Sequence, residues 1–471
     1  MGTNEHLVEN ITFDELAVGQ QARLHRIISD EDIKAFALVS GDVNPAHVDA
    51  EYAQGTRFHE VIAHGMFAGA LISSLLGTEF PGPGTIYLEQ SLRFQRPVHI
   101  GDALQVQVTV LTKDASNGNV RLGCEVSNQR GELVVSGEAL VRAPKQKVAR
   151  PRVAMPEMYL FDPRTRLENW LASQTAAAPV RCAVVHPCDE ASLAGAMEAA
   201  ARGLIQPVLV GPLARMQKVA EACGLSLDAV ACVDVPYSHA AAAAAAGMAA
   251  AGDVEMLFKG SLHTAELMEA VICEPSLRTG RRMSHVFRFE VPAYGKTLFV
   301  TDASINIRPS LDEKADIVRN AIELAQLLGV STPRVALLSA VENVTARMPS
   351  TLEAAALCKM AERGQIVGGI LDGPLAFDNA ISPSAAEMKG IRSPVAGQAD
   401  ILVVPDVESG SMLAKQLEYL AGAAGCGVVL GARVPIALAS RSDPPMTRVA
   451  SAALAGVVAH AASGKRLGAA S

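Results

Sequence analysis

The chain has 471 residues, of which 49% are hydrophobic, 19% are charged and 4% are aromatic, and its formal net charge is −8. This length predicts two or three domains with buried cores, and the negative charge argues against nucleic acid as the main partner. The sequence shows no apolar run long enough to cross a bilayer, no secretory signal and no C-x-x-C pair among its eight cysteines, so we expect a cytoplasmic protein with no membrane partner.

The first 145 residues predict an α+β domain. A helical pattern covers Asp30 to Ser40, and a second helix, rich in small residues, begins near His64. Four strand-like runs follow, at Thr85 to Val98, Ala103 to Thr112, Asn119 to Asn128 and Leu133 to Val141. Apolar and polar residues alternate in the second run, which is typical of a half-buried antiparallel strand. We therefore expect an antiparallel sheet wrapped around the second helix.

Residues 146–178 are predicted to be a linker, because the chain around their start is basic and contains proline. Residues 179–471 alternate between helical segments and apolar strand-like runs. Six of these runs lie at Cys182 to His186, Pro207 to Gly211, Val254 to Phe258, Leu298 to Val300, Val335 to Leu338 and Ile401 to Val404. Continuous apolar strands are typical of parallel sheets with helices on both faces. The pattern and length predict a two-lobed α/β domain with a cleft between the lobes.

Two segments resemble ligand-binding motifs but have the wrong spacing. Gly295-Lys296-Thr297 lacks the glycine that a phosphate-binding loop requires five residues before Gly295, where Glu290 stands. His59 and His64 resemble the paired histidines of a zinc-protease helix, but they lie five residues apart rather than four. Histidines at that spacing do not project from one helical face. We therefore predict no bound metal.

Chemistry-bearing residues of the N-terminal domain lie in the segment SGDVNPAHVD. An isolated acid and imidazole such as Asp42 and His47 are usually ordinary surface residues, but Asn44-Pro45 between them predicts a turn that can bring them together. Adding water to a conjugated thioester needs a base for the water, an acid for the α-carbon and donors for the enolate oxygen. Asp42 and His47 can supply the first two. Backbone N–H groups at the start of the helix near His64 can supply the third.

The segments SGDVNPAHVD, IAHGM and GTIYLEQSLRFQRPVHIGD closely resemble the MaoC-like (R)-specific enoyl-CoA hydratases, which have a hotdog fold. The resemblance covers roughly Phe13 to Val141. It implies that Asp42 and His47 are the catalytic pair. It also implies that Gly65 is the backbone donor to the thioester oxygen and that Ser73, in the central helix, supports the site. A hotdog domain that only binds its ligand is the alternative.

The C-terminal domain carries the cluster Ser440-Arg441-Ser442-Asp443. It follows an apolar strand and precedes a helix, so it is predicted at the carboxyl end of a sheet strand, where open α/β folds bind ligands. Arginine suits phosphate because its guanidinium can bind two oxygens at once. Transfer of an acyl group between a thiol and phosphate needs such a cation and hydroxyl donors. Taken alone, the cluster is equally typical of a solvated loop.

Further segments resemble the phosphate acetyl/butyryltransferase family over about Val180 to His460: KGSLHT, RTGRRMSHVF, TDASINIRP, MPST, DGPLAFDNA and AGQADILVVPDVESG. The S-R-x-D form and the stretch RGQIVGGILDGPLAFD look closer to butyryl-type than to acetyl-type members. The resemblance implies that Ser440 and Arg441 orient and stabilise the acyl phosphate. The aspartate base of acetyl-type members falls on Thr447, which leaves Asp443 as the acid of this loop. Secondary candidates for substrate binding are Lys259, Asn306, Asp372 and Asp378.

We therefore expect a bifunctional enzyme whose small-molecule partners are acyl-CoA and phosphate. The N-terminal domain would hydrate trans-2-enoyl-CoA to (R)-3-hydroxyacyl-CoA, and the C-terminal domain would convert acyl-CoA and phosphate to acyl phosphate and CoA. We expect no tightly bound cofactor, and by analogy with such relatives a homo-oligomer. In the alternative, one domain alone is catalytic and the other is an acyl-CoA sensor or an oligomerisation module.

Overall fold

The computed structural model describes residues 7–151, 162–174, 177–440 and 443–464. The chain divides into two compact units, Met1–Leu160 and Phe161–Ser471, which confirms that it has more than one domain. Within the described ranges, no helix is both long and apolar enough to span a membrane.

The N-terminal unit contains short helices around one long central helix, and its strands are mostly antiparallel neighbours. Its helices are α1 (Asp30–Ser40), α2 (Pro45–Val48), α3 (Ala50–Gln54) and α4 (Gly65–Thr78). Its strands are β1 (Leu7–Glu9), β2 (Gln21–Ile27), β3 (Ile86–Gln90), β4 (Arg93–Phe94), β5 (Ala103–Asp114), β6 (Asn119–Ser127), β7 (Leu133–Arg142) and β8 (Ala149–Pro151).

The main sheet of this unit has the order β2-β5-β6-β7-β3, with β4 also paired to β7. All of these pairings are antiparallel. Alternate residues of β5, including Val106 and Val108, are fully buried in one core with Ile72, Leu75 and Leu76 of α4. The predicted sheet around a central helix, which is the hotdog arrangement, is therefore confirmed. The run predicted as one strand from Thr85 to Val98 forms the two shorter strands β3 and β4.

The C-terminal unit alternates strands and helices through most of its length. Its helices are α5 (Pro163–Gln174), α6 (Glu190–Ala201), α7 (Leu213–Ala222), α8 (Ser238–Ala251), α9 (Thr264–Cys273), α10 (Leu311–Leu327), α11 (Pro349–Glu362), α12 (Phe377–Ile381), α13 (Pro383–Met388), α14 (Val407–Tyr419) and α15 (Pro445–Ala462). Its strands are β9 (Val180–Val185), β10 (Ile205–Gly211), β11 (Ala231–Asp234), β12 (Met256–Lys259), β13 (Ser284–Glu290), β14 (Leu298–Thr301), β15 (Arg334–Leu338), β16 (Ile370–Leu375), β17 (Ile401–Val403), β18 (Ala424–Leu430) and β19 (Ile436–Ala437).

In the part of the chain that the structure describes, these strands form one sheet in the order β11-β10-β9-β12-β19-β18-β13-β14-β17-β15-β16. In this order, the first five strands, β11, β10, β9, β12 and β19, are parallel to one another. The last four strands, β14, β17, β15 and β16, are also parallel to one another. These two groups fit the two predicted lobes. Between them, the pairings β19-β18, β18-β13 and β13-β14 are antiparallel, so the prediction of a parallel sheet is wrong there. The connections at residues 431–435 and 291–297 are too short for the crossover that parallel neighbours need.

The boundary between the units differs from the predicted linker at residues 146–178. Ala149–Pro151 forms β8, which pairs with β1 inside the N-terminal unit. Pro163–Gln174 forms α5, whose Leu167 and Leu171 are buried in the main core of the C-terminal unit. The predicted linker therefore contains structured elements of both units.

Candidate functional site

The first site is built by the short turn after α1. Gly41 ends α1 in the left-handed conformation with φ of 75°, which redirects the chain. Asn44 caps α2 through its side chain, and Pro45 is the first residue of that helix, so the predicted turn forms. It places the exposed Asp42 beside the half-buried His47. One donor atom from each of these two residues and one from His64 all lie within 4.8 Å of one another.

The hydrogen bonds of the two imidazoles fix their orientations. His47 Nδ1 lies 2.7 Å from the backbone oxygen of Ile62, and His64 Nε2 lies 2.8 Å from the backbone oxygen of Asp42. A carbonyl oxygen can only accept, so both of these nitrogens carry the proton. His47 Nε2 and His64 Nδ1 therefore bear lone pairs when the rings are neutral. The ring centroids are 4.0 Å apart.

His64 is the residue that the sequence analysis missed, because it was considered there only as half of a failed zinc motif. Its side chain is buried, with 3% of the residue exposed, and Nδ1 has no hydrogen-bond partner among the described atoms. The available signal was its position immediately before Gly65 at the start of a small-residue helix. An imidazole there lies at the same helix end as the predicted backbone donor.

Gly65 is the first residue of α4, so its N–H is among the donors that a helix leaves without an internal acceptor. The positive end of the helix dipole adds to the attraction for a developing negative charge. A cavity of about 260 Å³ is lined by His47, His64, Gly65 and Phe94, among others. His47 and Gly65 therefore line one cavity, and Asp42 lies beside His47. Together these groups can move a proton and stabilise an oxyanion.

Ser73 is not brought to this cavity. It lies eight residues after Gly65 on α4, or about 12 Å along the helix axis at 1.5 Å per residue. Its side chain is on the exposed side of the helix, opposite the buried Ile72 and Leu75. Helical geometry therefore carries Ser73 away from this cavity within one chain, and its predicted supporting role stays a prediction.

The second site is a cleft of about 780 Å³ in the C-terminal unit. Lys259 is the last residue of β12, and Ser440 follows β19. These strands are parallel neighbours, so their carboxyl ends lie at the same edge of the sheet. Both residues line the cleft, together with Phe287 of β13 and the first two turns of α14. The Lys259 side chain is buried, with 3% of the residue exposed, which strengthens its electrostatic effect on a bound anion.

The loop of the S-R-S-D cluster is held by Asp443. The Ser440 N–H donates to Asp443 Oδ2 at 2.6 Å, and Lys415 Nζ donates to Asp443 Oδ1 at 3.4 Å. The guanidinium of the fully buried Arg448 donates to the backbone oxygen of Ser440 at 2.9 Å. Burial alone would lower the pKa of Lys415, but its hydrogen bond to Glu418 and the charge of Asp443 raise that pKa above its ordinary value.

These contacts change the interpretation of Asp443. Both oxygens of Asp443 accept hydrogen bonds that shape the loop, so the geometry favours positioning of Ser440 over the role of thiol base. Thr447, at the position of the aspartate base of related enzymes, lies in α15 and is buried. Arg441 lies outside the described residues, and its predicted role stays a prediction.

Asn306 stabilises the loop after β14 but is not among the residues that line the cleft. Its amide donates to the Met283 oxygen at 2.8 Å and to Asp302 Oδ2 at 2.6 Å, and it accepts from Arg282 Nε at 2.7 Å. Burial raises the pKa of Asp302 above its ordinary value. These protein contacts occupy the Asn306 amide, and the substrate contact predicted for it stays a prediction.

Asp372 and Asp378 lie at the far edge of the sheet. Asp372 is in β16, seven positions from β12 in the strand order, which corresponds to roughly 30 Å at the usual strand spacing. Asp372 Oδ1 accepts from the next backbone N–H at 2.8 Å. The exposed Asp378 pairs with Lys389 at 2.9 Å, whose hydrogen bond lowers the pKa of Asp378. Strand order therefore separates Asp372 from Lys259, and the substrate contacts predicted for Asp372 and Asp378 stay predictions.

The cleft also contains polar residues that were not predicted individually from the sequence. They are His263, Thr264, Ser304, Glu408, Ser411 and Lys415. The motifs KGSLHT, TDASINIRP and AGQADILVVPDVESG contain four of them, so the signal was present. It could not be assigned to a site without the packing of α9 and α14 around the strand ends.

Two family models match this chain. The model for "Phosphate acetyl/butaryl transferase" matches residues 236–456, and the model for "MaoC like domain" matches residues 15–128. The second range contains Asp42, His47, His64 and Gly65, and the first contains Lys259 and Ser440. Each match therefore includes one of the two sites.

Relatives of both parts are known. A phosphate acetyltransferase of Rhizobium meliloti is 58% identical over 296 residues, which are 63% of this chain and 94% of the relative. A branched-chain phosphotransacylase from Enterococcus faecalis V583 is 30% identical, with a TM-score of 0.52, and the match covers 59% of this chain and 99% of that structure. The (R)-hydratase PhaJ1 from Pseudomonas aeruginosa is 48% identical, with a TM-score of 0.32, and the match covers 33% of this chain and 99% of that structure. The chain thus belongs to the phosphate acetyl/butyryl transferase family and carries a MaoC-like domain in its N-terminal unit.

Proposed function

We propose that the chain carries two active sites that both act on coenzyme A thioesters. The N-terminal site hydrates trans-2-enoyl-CoA to (R)-3-hydroxyacyl-CoA, and the C-terminal site exchanges acyl groups between CoA and phosphate. The observation that carries the first half is that His47 and Gly65 line one cavity and that Asp42 lies beside His47. The placement of Lys259 and Ser440 in one cleft supports the second half. Side chains and the Gly65 backbone N–H supply the chemistry of both reactions, without a tightly bound cofactor.

Hydration follows from the lone pair on His47 Nε2. A water molecule gives a proton to this nitrogen while its oxygen bonds to the β-carbon of the enoyl group. The Asp42 carboxylate accepts the other hydrogen of the water and orients it. The electron pair of the double bond moves to the thioester oxygen, where the Gly65 N–H stabilises the enolate. The α-carbon then takes this proton back from His47 Nε2, which restores the site and completes the addition of water.

The test of this half is Asp42→Asn, which keeps the size of the side chain and removes its charge. Glu51→Gln is the matched control, because Glu51 is an exposed acid on α3. Hydration of crotonyl-CoA, followed by the loss of enoyl absorbance, should fall about a hundredfold or more in the first variant and stay unchanged in the second. Retention of most of the activity in Asp42→Asn would refute the assignment.

In acyl transfer, a phosphate oxygen attacks the thioester carbonyl, the bond from carbon to sulfur breaks, and the CoA thiolate leaves and takes up a proton. The Lys259 ammonium offsets the charge of phosphate, and the Ser440 hydroxyl donates to the carbonyl oxygen. Arg441 adds a second cation if it binds as the family resemblance implies. Arg441→Ala should then nearly silence CoA release while hydration continues. A loss of less than about fivefold would correspond to too small a free-energy change for that role.

The acyl group is proposed to have two to four carbons. The relative at 58% identity is a phosphate acetyltransferase, which favours acetyl-CoA, whereas the S-R-x-D form led us to predict butyryl-CoA as at least an equal substrate. An apolar pocket gains only about 1–3 kcal/mol per methylene, so discrimination between neighbouring chain lengths should be graded.

We also propose that the chain forms a homo-oligomer. Strand β3 is at the end of the N-terminal sheet, and its Ile86, Tyr87 and Leu88 are all more than a third exposed. An apolar edge strand of this kind pairs readily with another chain. Light scattering on the purified protein should give a mass of at least two chains, and a monomer at micromolar concentration would refute this proposal.

A further inference from the structure

The cluster of Asp42, His47 and His64 has more donors than the proposed hydration uses. His47 Nε2 and the Asp42 carboxylate have roles in that reaction, but His64 Nδ1 has none. It is a lone pair inside a buried side chain, and no described group donates to it. Buried polar atoms normally have a partner, and His64 lines the cavity, so this lone pair is available to a ligand.

We propose that Asp42, His47 and His64 form a binding site for a divalent transition metal ion such as Zn²⁺, and that this ion inhibits hydration. The inhibition rests on the proposed hydratase function, because the ion would occupy the lone pair of His47 and the carboxylate of Asp42. Binding of the ion does not rest on it.

The hydrogen bonds of the two histidines support metal binding. Each ring donates its other N–H to a backbone oxygen, at 2.7 Å for His47 and 2.8 Å for His64. Metal-binding histidines almost always make such a bond, which fixes the tautomer and aims the remaining lone pair. Two imidazole nitrogens and one carboxylate oxygen suit Zn²⁺, Fe²⁺ and Co²⁺ rather than Mg²⁺ or Ca²⁺. A site with three protein ligands leaves a coordination position for water.

Binding of one ion requires a small adjustment of the three side chains. Tetrahedral zinc with bonds of about 2.0–2.1 Å sets its ligand atoms roughly 3.3 Å apart, whereas here one ligand atom from each of the three residues lies within 4.8 Å of the others. Asp42 is exposed, and its carboxylate is bonded to the Asn44 N–H at a long 3.3 Å. Its side chain can therefore rotate toward the two imidazoles.

The test is titration of the full-length protein with ZnCl₂ by calorimetry. We expect one tight equivalent per chain, weakened about tenfold or more by His64→Asn. The matched control is His59→Asn. His59 is exposed in the same segment and has φ of 60°, a conformation that asparagine also adopts. Equal affinity in wild type and His64→Asn would overturn the site.

Two further measurements distinguish this site from the other histidines and test it independently of the proposed hydratase function. Crystals of the wild type soaked in ZnCl₂ should give anomalous density between His47 and His64, and density at other residues alone would overturn the site. Zn²⁺ should inhibit hydration by wild type at least tenfold more strongly than by His64→Asn, and equal inhibition would overturn the regulatory role. If wild type does not hydrate enoyl-CoA at all, the proposed function fails, while calorimetry and the anomalous map still decide the metal site.

Discussion

The Gly65 N–H can be removed with little change to the helix that carries it. Gly65 is the first residue of α4, where proline is favoured because its missing N–H has no helical acceptor. The preceding residue, His64, has ψ of 135°, which is the conformation that a following proline requires. Gly65→Pro should therefore fold normally and lack only the proposed oxyanion donor.

Gly65→Ala is the matched control. Both substitutions add a Cβ, which would lie 3.3 Å from the Phe94 ring, and Phe94 is about half exposed and can move by the few tenths of an ångström needed. Only proline also removes the N–H. Loss of one oxyanion donor lowers kcat by roughly 10²–10³, or about 2.7–4 kcal/mol. We expect that loss of crotonyl-CoA hydration in Gly65→Pro relative to Gly65→Ala, at equal helicity by circular dichroism. Activities of the two variants within about fivefold of each other would refute the role of Gly65.

Three further predictions concern the C-terminal unit. Lys259→Met keeps the buried stem and removes the charge, so CoA release from acyl-CoA and phosphate should fall about a hundredfold, and a loss under fivefold would remove Lys259 from the site. Burial lowers the pKa of His285 to about 3. Below the unfolded-state pKa of about 6.5, this histidine takes up a proton in the unfolded chain but not in the folded unit. The free energy of unfolding therefore decreases as the pH falls from 6.5 toward 3. Urea unfolding of this unit at pH 7 and pH 5 should show that the free energy of unfolding decreases by about 2 kcal/mol less in His285→Leu than in wild type. An equal decrease in wild type and variant would contradict the lowered pKa of His285. For acyl preference, kcat/KM for acetyl-, propionyl- and butyryl-CoA should differ by graded steps, and a hundredfold preference for acetyl-CoA over butyryl-CoA would show that the pocket closes beyond two carbons.

Local patterns predicted the elements of the N-terminal unit well. The helix expected from Asp30 to Ser40 has those bounds as α1, since Ser29 and Asp32 form a capping box at its start. The alternation in β5 predicted its buried face. The turn at Asn44-Pro45 predicted that Asp42 and His47 meet, because all of the information lies within a few residues.

Contacts between distant segments could not be predicted from the local sequence. His64 meets His47 only because the chain between them returns through α3, and no local pattern encodes that return. Asp372 was assigned to the same site as Lys259 because both fall in matching motifs, yet strand order is set by packing of the whole sheet and puts β16 at the edge. The antiparallel pairing at the centre of the sheet could have been predicted from the sequence, because the short connections after β13 and β18 exclude a crossover.

The most direct test of the central claim, that one chain holds two independent active sites, is a paired assay of Asp42→Asn and Ser440→Ala. Each full-length variant is measured for hydration of crotonyl-CoA and for CoA release from acyl-CoA and phosphate. We predict that Asp42→Asn loses hydration by about a hundredfold or more and keeps CoA release, and that Ser440→Ala does the reverse. If either variant kept the activity assigned to its own site, or lost both activities while folded, the claim of two independent active sites would be contradicted.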